Sequence, residues 1–277
     1  MVYENAKMLS MAKQNNVSIN HLQRLLPEGC LVEAAWLTAR GYSTSLRSQY
    51  VAAGWLKQPA RRVYVRGSAP LKWQQAVISM QTLLQKDLIV GGRTALELHG
   101  FTHYLARETK RVHLYGPKRP PSWLFQLPTR VQFVYHNDGR VFRSAAEARI
   151  ADPLPSGLAF QEWGERGSRL VLSSPERALL ELLDELPNRE SFHQVDKLVE
   201  GLANLSPRKM EKLLLDSHNI KVKRLFFFFA DRHRHAWLRR IGRAKIDLGK
   251  GKRMLVRGGR LNTAYLITVP RDLDADR

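Results

Sequence analysis

The sequence predicts an α+β fold, with a small amino-terminal domain ahead of a larger mixed α/β one. Three observations carry that expectation. Helical and strand periodicities interleave without the regular alternation that builds a doubly wound parallel sheet. The first 75 residues hold two short helical stretches parted by one glycine and followed at once by strand-like segments. The charge is also partitioned along the 277 residues. Of the net +20, residues 1–75 carry ten Lys/Arg against three acids, residues 76–203 sixteen against fifteen, and residues 204–277 nineteen against seven. We therefore expect a first domain over 1–75 and a second over 76–277, subdivided near 204 where the basic part begins.

In the amino-terminal part, an amphipathic stretch over Glu4 to Lys13 precedes the breaker Asn15-Asn16. Ser18 is placed to cap a helix carrying Ile19, Leu22, Leu25 and Leu26, which Pro27-Glu28-Gly29 ends. Leu31, Ala34, Ala35 and Leu37 are spaced for one buried face of a helix over 31–40. Gly41 allows a tight interhelical turn. Ser43 or Thr44 then caps a helix from Ser45 to Ala53, closed by Gly54. Trp55-Leu56-Lys57 and Arg62 to Arg66 read as two strands joined through Gln58-Pro59-Ala60-Arg61. Helix, glycine turn, capped helix and hairpin are the outline of a winged helix-turn-helix.

In the second half of that motif, Leu46, Tyr50 and Ala53 define the inward side, leaving Ser45, Arg47, Ser48 and Gln49 outward, beside the capping Ser43 and Thr44. Arg and Gln are side chains that pair bidentately with base edges in the major groove. Lys57, Arg61 and Arg62 on the wing suit phosphates or the minor groove. Surface helices also show Arg, Ser and Gln without binding DNA, but the local net charge favours a polyanion partner.

Farther on, Trp73, Ala76, Val77, Met80, Leu83 and Leu84 make a helical stripe. Strand Leu88-Ile89-Val90 leads into Gly91-Gly92, with Thr94 as the cap of a helix over Ala95 to His99. Val112 to Tyr115 and Val131 to Tyr135 alternate as strands around the loop Gly116 to Pro121. Ser174-Pro175-Glu176 starts a helix by every local rule: a capping serine, proline in the first turn and an acid at the positive end. Leu179, Leu180, Leu182, Leu183 and Leu186 follow on it. Helices around Met210/Leu213/Leu214 and Val222/Leu225/Phe226/Phe229 come next, then strands near 245–248, 253–256 and 264–269.

Several classes of chemistry are disfavoured. The longest apolar run, Leu225 to Ala230, is far short of the roughly 18 residues of a membrane span. The amino terminus lacks the basic-then-apolar order of a secretion signal, and one cysteine, Cys30, supports neither a disulfide nor a cysteine-based zinc site. A cytoplasmic protein without metal or cofactor is the expectation. The Gly91-Gly92 junction could hold a phosphate on a helix start, as nucleotidyltransferases do. Such enzymes then need paired aspartates for Mg²⁺, whereas the next strand, Arg111-Val112-His113-Leu114-Tyr115, has no acid. His99 and His103 lack a third ligand, and Gly249-Lys250-Gly251 is better read as a hairpin turn than a phosphate loop. We read the chain as no enzyme. The carboxy-terminal cations, among them Lys221, Lys223, Arg224, Arg239, Arg240 and Arg243, suit a second nucleic-acid surface or a dock for an acidic protein or RNA-bound enzyme.

The runs Trp36-Leu37, Gly41-Tyr42-Ser43, Leu46-Arg47, Tyr50-Val51, Gly54-Trp55-Leu56 and Val63-Tyr64 resemble the start of the AbiEi antitoxins of bacterial type IV, abortive-infection toxin–antitoxin systems. The likeness continues through Val90 to Gly100, Ser174 to Glu181, Val222 to Phe226 and Asp247-Leu248-Gly249. It implies a DNA-binding domain that represses its own operon and a larger domain that counteracts a nucleotidyltransferase toxin encoded beside it, without requiring a stable complex. It also implies double-stranded promoter DNA as a partner, with more than one copy reading repeated operator sites. Carried onto this chain, Ser45, Arg47, Ser48, Gln49, Lys57, Arg61 and Arg62 become the DNA contacts. No family motif marks antitoxin residues, and the basic patch Lys221, Lys223, Arg224, Arg239, Arg240 and Arg243 is a candidate antitoxin surface on its charge alone. The wing tip departs from the family pattern, with Pro59-Ala60-Arg61-Arg62 where a glycine-containing turn is common. A transcriptional regulator with a sensor or dimerisation domain and no toxin is the alternative.

Overall fold

Leu31 to Glu33, expected to begin a helix, instead form a strand, and that change organises the first part of the fold. In the computed structural model, residues 19–101, 110–144, 154, 157–164 and 167–273 are described. The Glu4 to Lys13 stretch, the Ser18 cap and His103 lie outside them. Two compact units emerge: one takes the chain up to Leu84 together with Pro121–Arg130, the other Gln85–Pro120 and the chain from Val131 onward.

In the first unit, helix α1 (19–25) leads to strand β1 (Leu31–Glu33), helix α2 (Ala34–Thr38), helix α3 (Thr44–Ala52), strands β2 (Lys57–Ala60) and β3 (Val63–Val65), and helix α4 (Trp73–Thr82). The strands form one antiparallel sheet in the order β1-β3-β2. Leu31 and Val32 are both buried, so their apolarity fits either period. The ladder to Val63–Val65 decides for the strand, by supplying backbone partners that a helix end would lack. The Leu31 N–H is also taken by Ser79 Oγ of α4 at 2.8 Å. The core joins Leu22 and Leu26 to Val32, Leu37, Tyr42, Tyr50, Leu56 and Tyr64. A helix pair with a sheet of this order is a winged helix-turn-helix, as expected.

The second unit is built on a mixed five-stranded sheet, ordered β6-β5-β4-β8-β7. Its strands are β4 (Ile89–Val90), β5 (Arg111–Gly116), β6 (Gln132–Asn137), β7 (Leu158–Trp163) and β8 (Ser168–Ser173). Helix α5 (Gly92–Leu98) follows β4, and α6 (Pro175–Asp184), α7 (Phe192–Glu200), α8 (Pro207–Asp216) and α9 (Ile220–Arg232) follow β8. The Ser174 cap forms as the sequence predicts, its side chain accepting the Arg177 N–H. The α5 start differs from expectation. The helix begins at Gly92, and Thr94 lies buried inside it, donating to the Arg111 carbonyl and accepting the His113 N–H. A hydroxyl that can tie two strand groups is worth more there than at a cap.

The four phenylalanines of α9 are all buried, Phe226 against Trp237 and Phe227 against Tyr265. Beyond α9, the strand expected over 245–248 is absent. Arg243–Lys245 form a 3₁₀ turn and Arg253 makes only an isolated bridge to Ile267, while β9 (Arg260–Asn262) pairs with β10 (Ile267–Val269).

Candidate nucleic-acid interface

Helix α3 owes its orientation to one buried cation. Ser43 caps it, its Oγ accepting the Leu46 N–H at 3.2 Å. Thr44, Ser45, Ser48, Gln49 and Ala52 are exposed, one stripe of the helix, while Arg47 and Tyr50 are buried with Leu46 and Val51 half-buried. The true inward face is thus Leu46-Arg47-Tyr50-Val51, one position away from the Leu46-Tyr50-Ala53 face expected, and Ala53 is exposed.

That shift corrects the assignment of Arg47. It is 5% exposed, and its guanidinium donates to Tyr42 O at 2.6 Å, Thr38 Oγ1 at 2.7 Å, Thr44 Oγ1 at 2.9 Å and Ala34 O at 3.4 Å. It also sits over the Tyr64 ring, 5.7 Å from the centroid. Arg47 therefore faces inward and ties the end of α2, the Gly41-Tyr42 turn and the start of α3 into one piece. A planar fork with fixed donors suits that task. Side-chain chemistry alone points outward, because arginine is seldom buried; here the two terminal nitrogens make the bonds and Nε is buried without a hydrogen-bond partner.

The wing is β2, β3 and a two-residue turn, Arg61-Arg62, between them. Arg61 and Arg62 are exposed, and Arg62 supplies the positive φ of 61° that a glycine would ordinarily take. Lys57 is exposed and reaches the Ser68 carbonyl at 2.9 Å. Two exposed residues on this unit escaped the sequence pattern. Arg40 stacks on Trp36 at 3.7 Å and donates to its carbonyl, and Trp55, 45% exposed, opens the wing. The i, i+4 spacing of Trp36 and Arg40 was the available signal for the first.

The carboxy-terminal basic patch does not form one surface. Arg224 is 1% exposed and donates to the carbonyls of Leu248, Gly251 and Leu266, which pins the 249–251 turn. Lys223 is buried too, and burial lowers its pKa. Lys221 is tied to the Asp184 and Leu186 carbonyls. Arg243 pairs with Asp231 at 3.2 Å and packs over Phe227 and Tyr265. Arg239 and Arg240 are exposed.

The glycine-pair junction is filled by the chain itself. Glu181, fully buried, accepts the Gly92 N–H at 2.9 Å, the Ser173 hydroxyl, which lies 2.8 and 3.0 Å from its two oxygens, and Arg177 Nε at 2.8 Å. Burial pushes its carboxyl up, against Arg177 and the Gly92 and Ser173 bonds that favour the charge. Tyr115, on the strand where an enzyme would carry its aspartates, stacks on His136, which stacks on His113. Among the described residues, no group of three or more His, Cys, Asp or Glu is placed to hold a metal, and no helix is long and apolar enough to cross a membrane.

A family model described as transcriptional regulator, AbiEi antitoxin, type IV toxin–antitoxin system matches residues 109–270. A second, described as the AbiEi antitoxin N-terminal domain of transcriptional regulators, matches residues 15–107. The chain belongs to the AbiEi antitoxin family. No curated protein matches this antitoxin-family chain. Among solved structures it is similar to the RV2827C protein from Mycobacterium tuberculosis, with a TM-score of 0.57 and 15% identity over 90% of this chain and 89% of that one. At that identity the likeness shows a shared α+β fold and nothing of activity.

Proposed function

We propose that this AbiEi family member is a cytoplasmic type IV antitoxin that opposes a cognate nucleotidyltransferase toxin and represses its own operon by binding promoter DNA through its winged helix. The observation that carries the DNA half is the α3 stripe of Thr44, Ser45, Ser48 and Gln49, exposed on a helix whose opposite face is clamped by Arg47. We assign base reading to Ser45, Ser48 and Gln49, helped by Ser43 and Thr44 at the positive helix start, and phosphate contacts to Lys57, Arg61 and Arg62. Arg47 is withdrawn from that set. The larger unit is assigned the antitoxin role, with Arg239 and Arg240 the members of the basic patch still available to a partner.

The protein's mode of action is read as non-enzymatic, a reading supported at the glycine-pair junction, where a carboxylate of the chain takes the Gly92 N–H that a phosphate would use. Opposition to the toxin without a stable complex, and several copies on repeated operator sites, belong to the same reading.

The test is to induce the neighbouring gene with the full chain, the Gln49→Ala/Arg61→Ala/Arg62→Ala chain, or neither, while a promoter fusion reports repression. Growth should be rescued by both chains, and the reporter silenced only by the unaltered one. A toxic neighbour that the full chain fails to neutralise removes the antitoxin half. An indifferent reporter removes the repressor half.

A further inference from the structure

Helix α8 is amphipathic twice over. Its inward face is Met210, Leu213 and Leu214. The outward residues Arg208, Glu211, Lys212 and Leu215 recur at i, i+3, i+4 and i+7, which places them in one row on the opposite side. With Pro207 and with Arg240 from the 3₁₀ turn Ala236–Arg240, this row lines an open groove of about 500 Å³. Leu215 is 43% exposed in it, one of the few large apolar side chains left to solvent among the described residues.

The charges of the groove are arranged unevenly. Glu211 is engaged inside the fold, accepting the Gly242 N–H at 3.1 Å with Lys245 Nζ 3.7 Å away. Arg208, Lys212 and Arg240 make no ion pair among the described residues and are exposed. So two apolar side chains, Pro207 and Leu215, share the groove with uncommitted cations.

We propose that this groove docks an acidic amphipathic helix of a partner protein. Charge complementarity demands carboxylates or phosphates beside Arg208, Lys212 and Arg240. The apolar side chains of Leu215 and Pro207 favour a polypeptide, because a phosphate backbone has nothing to bury against them. The Glu211 carboxylate within the lining adds to this, since it repels a continuous row of phosphates while leaving room for discrete carboxylates at the rim. The matching ligand carries large apolar residues at i and i+3/i+4, flanked by Asp or Glu, as helix-in-groove recognition requires.

The probe is a fluorescent acidic peptide of about 18 residues with leucines at i, i+3, i+4 and i+7, enough for a continuous apolar face. Its scrambled isomer has the same charge and no such face. Anisotropy with the full chain should show the patterned peptide binding, and Leu215→Asp and Arg208→Glu/Arg240→Glu should each weaken it by about tenfold or more. A Lys-for-Glu peptide should bind Arg208→Glu/Lys212→Glu/Arg240→Glu in preference to the unaltered chain. All substituted side chains are on the surface, so unchanged thermal unfolding verifies the fold. Failure of the patterned peptide to bind, equal binding of the scrambled one, or indifference to Leu215→Asp overturns the proposal. So does random-sequence RNA that displaces the peptide and itself loses affinity in the triple variant, which would make the face a polyanion surface.

Discussion

The Glu181 carboxylate accepts the backbone N–H of Gly92 at 2.9 Å, closing the strand–glycine–helix junction with an acid of the chain's own α6. Every group around that carboxylate is a donor: Gly92 N–H, the Ser173 hydroxyl and Arg177 Nε. Glu181→Gln turns one acceptor into a competing donor and leaves Arg177 facing only Asp138. Breaking a buried pair in this way costs about 3–5 kcal/mol. Urea unfolding should show that loss, and a variant as stable as the parent would mean the junction does not depend on the acid. Gly91→Ala should act from the other side, because its Cβ would lie 2.3 Å from Glu181 Oε2 and 2.4 Å from a Tyr115 ring carbon.

Arg47→Ala should unfold the winged helix before it alters base choice. It deletes bonds to Tyr42 O, Thr38 and Thr44 within a buried cluster, a loss of about 2–4 kcal/mol. Arg47→Lys should recover little, since one ammonium cannot span the fork. Specific and random duplexes should lose affinity together, in step with the fall in thermal midpoint. A variant with unchanged melting and altered base preference would return Arg47 to the reading face.

Where one local rule dominated, the sequence was legible. Ser174-Pro175-Glu176 started α6, Ser43 capped α3, and the α9 phenylalanines went to the core. Long-range pairing was less visible. β1 is a strand because β3 lies beside it, and β7 and β8, which no sequence expectation covered, are held by pairing with each other and by the β4–β8 contact. The site was half legible for the same reason. Exposed Ser45, Ser48 and Gln49 follow from helical period, whereas Arg47 and Arg224 turn inward to carbonyls that come from other segments. A cation in a sequence carries no mark of whether backbone acceptors await it.

Gln49→Ala and Lys57→Ala should fail differently. A glutamine on the exposed stripe that pairs with a base contributes about 1–3 kcal/mol of discrimination, so its loss flattens the contrast between operator and random DNA. A wing lysine on phosphate lowers both affinities equally and reduces the slope of log K against log salt by about one. Titrations at several salt concentrations with both duplexes separate the two. A uniform loss from Gln49→Ala would place that residue on the backbone instead.

Arg62 holds a φ of 61° at the wing turn, a conformation that costs a side-chain-bearing residue about 1–2 kcal/mol relative to one without a Cβ. Arg62→Gly should therefore leave stability unchanged or raise it by up to about 1 kcal/mol, glycine's greater freedom in the unfolded chain offsetting part of the gain. DNA affinity should fall in the same variant. Opposite signs in melting and binding are the signature of a residue kept in a strained position for its charge. A loss in both would mean the Arg62 side chain supports the wing itself.

His113 should make the protein acid-sensitive. Burial, and after it the neighbouring His136, lowers its pKa from 6.5 to about 4, with Arg93 and Arg111 acting the same way and Glu185 opposing. Its Nδ1 lies 3.0 Å from His136 Nε2, and His136 Nδ1 lies 2.9 Å from Glu185 Oε1, so the three side chains form one buried chain. In the unfolded chain the imidazole takes a proton below about pH 6.5, and in the folded chain only near 4. The stabilisation from keeping it neutral is thus whole above 6.5 and is lost as pH falls to about 4, about 3 kcal/mol in all. Glu185 adds loss of the same sign at the acidic end, because its own pKa is lowered: burial pushes it up, but His136 and Arg189 outweigh that. Chemical denaturation at half-unit steps from pH 7.5 to 4 should show the fall, and His113→Gln should flatten it between 6.5 and 5 whatever its absolute stability. Parallel curves for the two proteins would show that the buried imidazole titrates as it does in water.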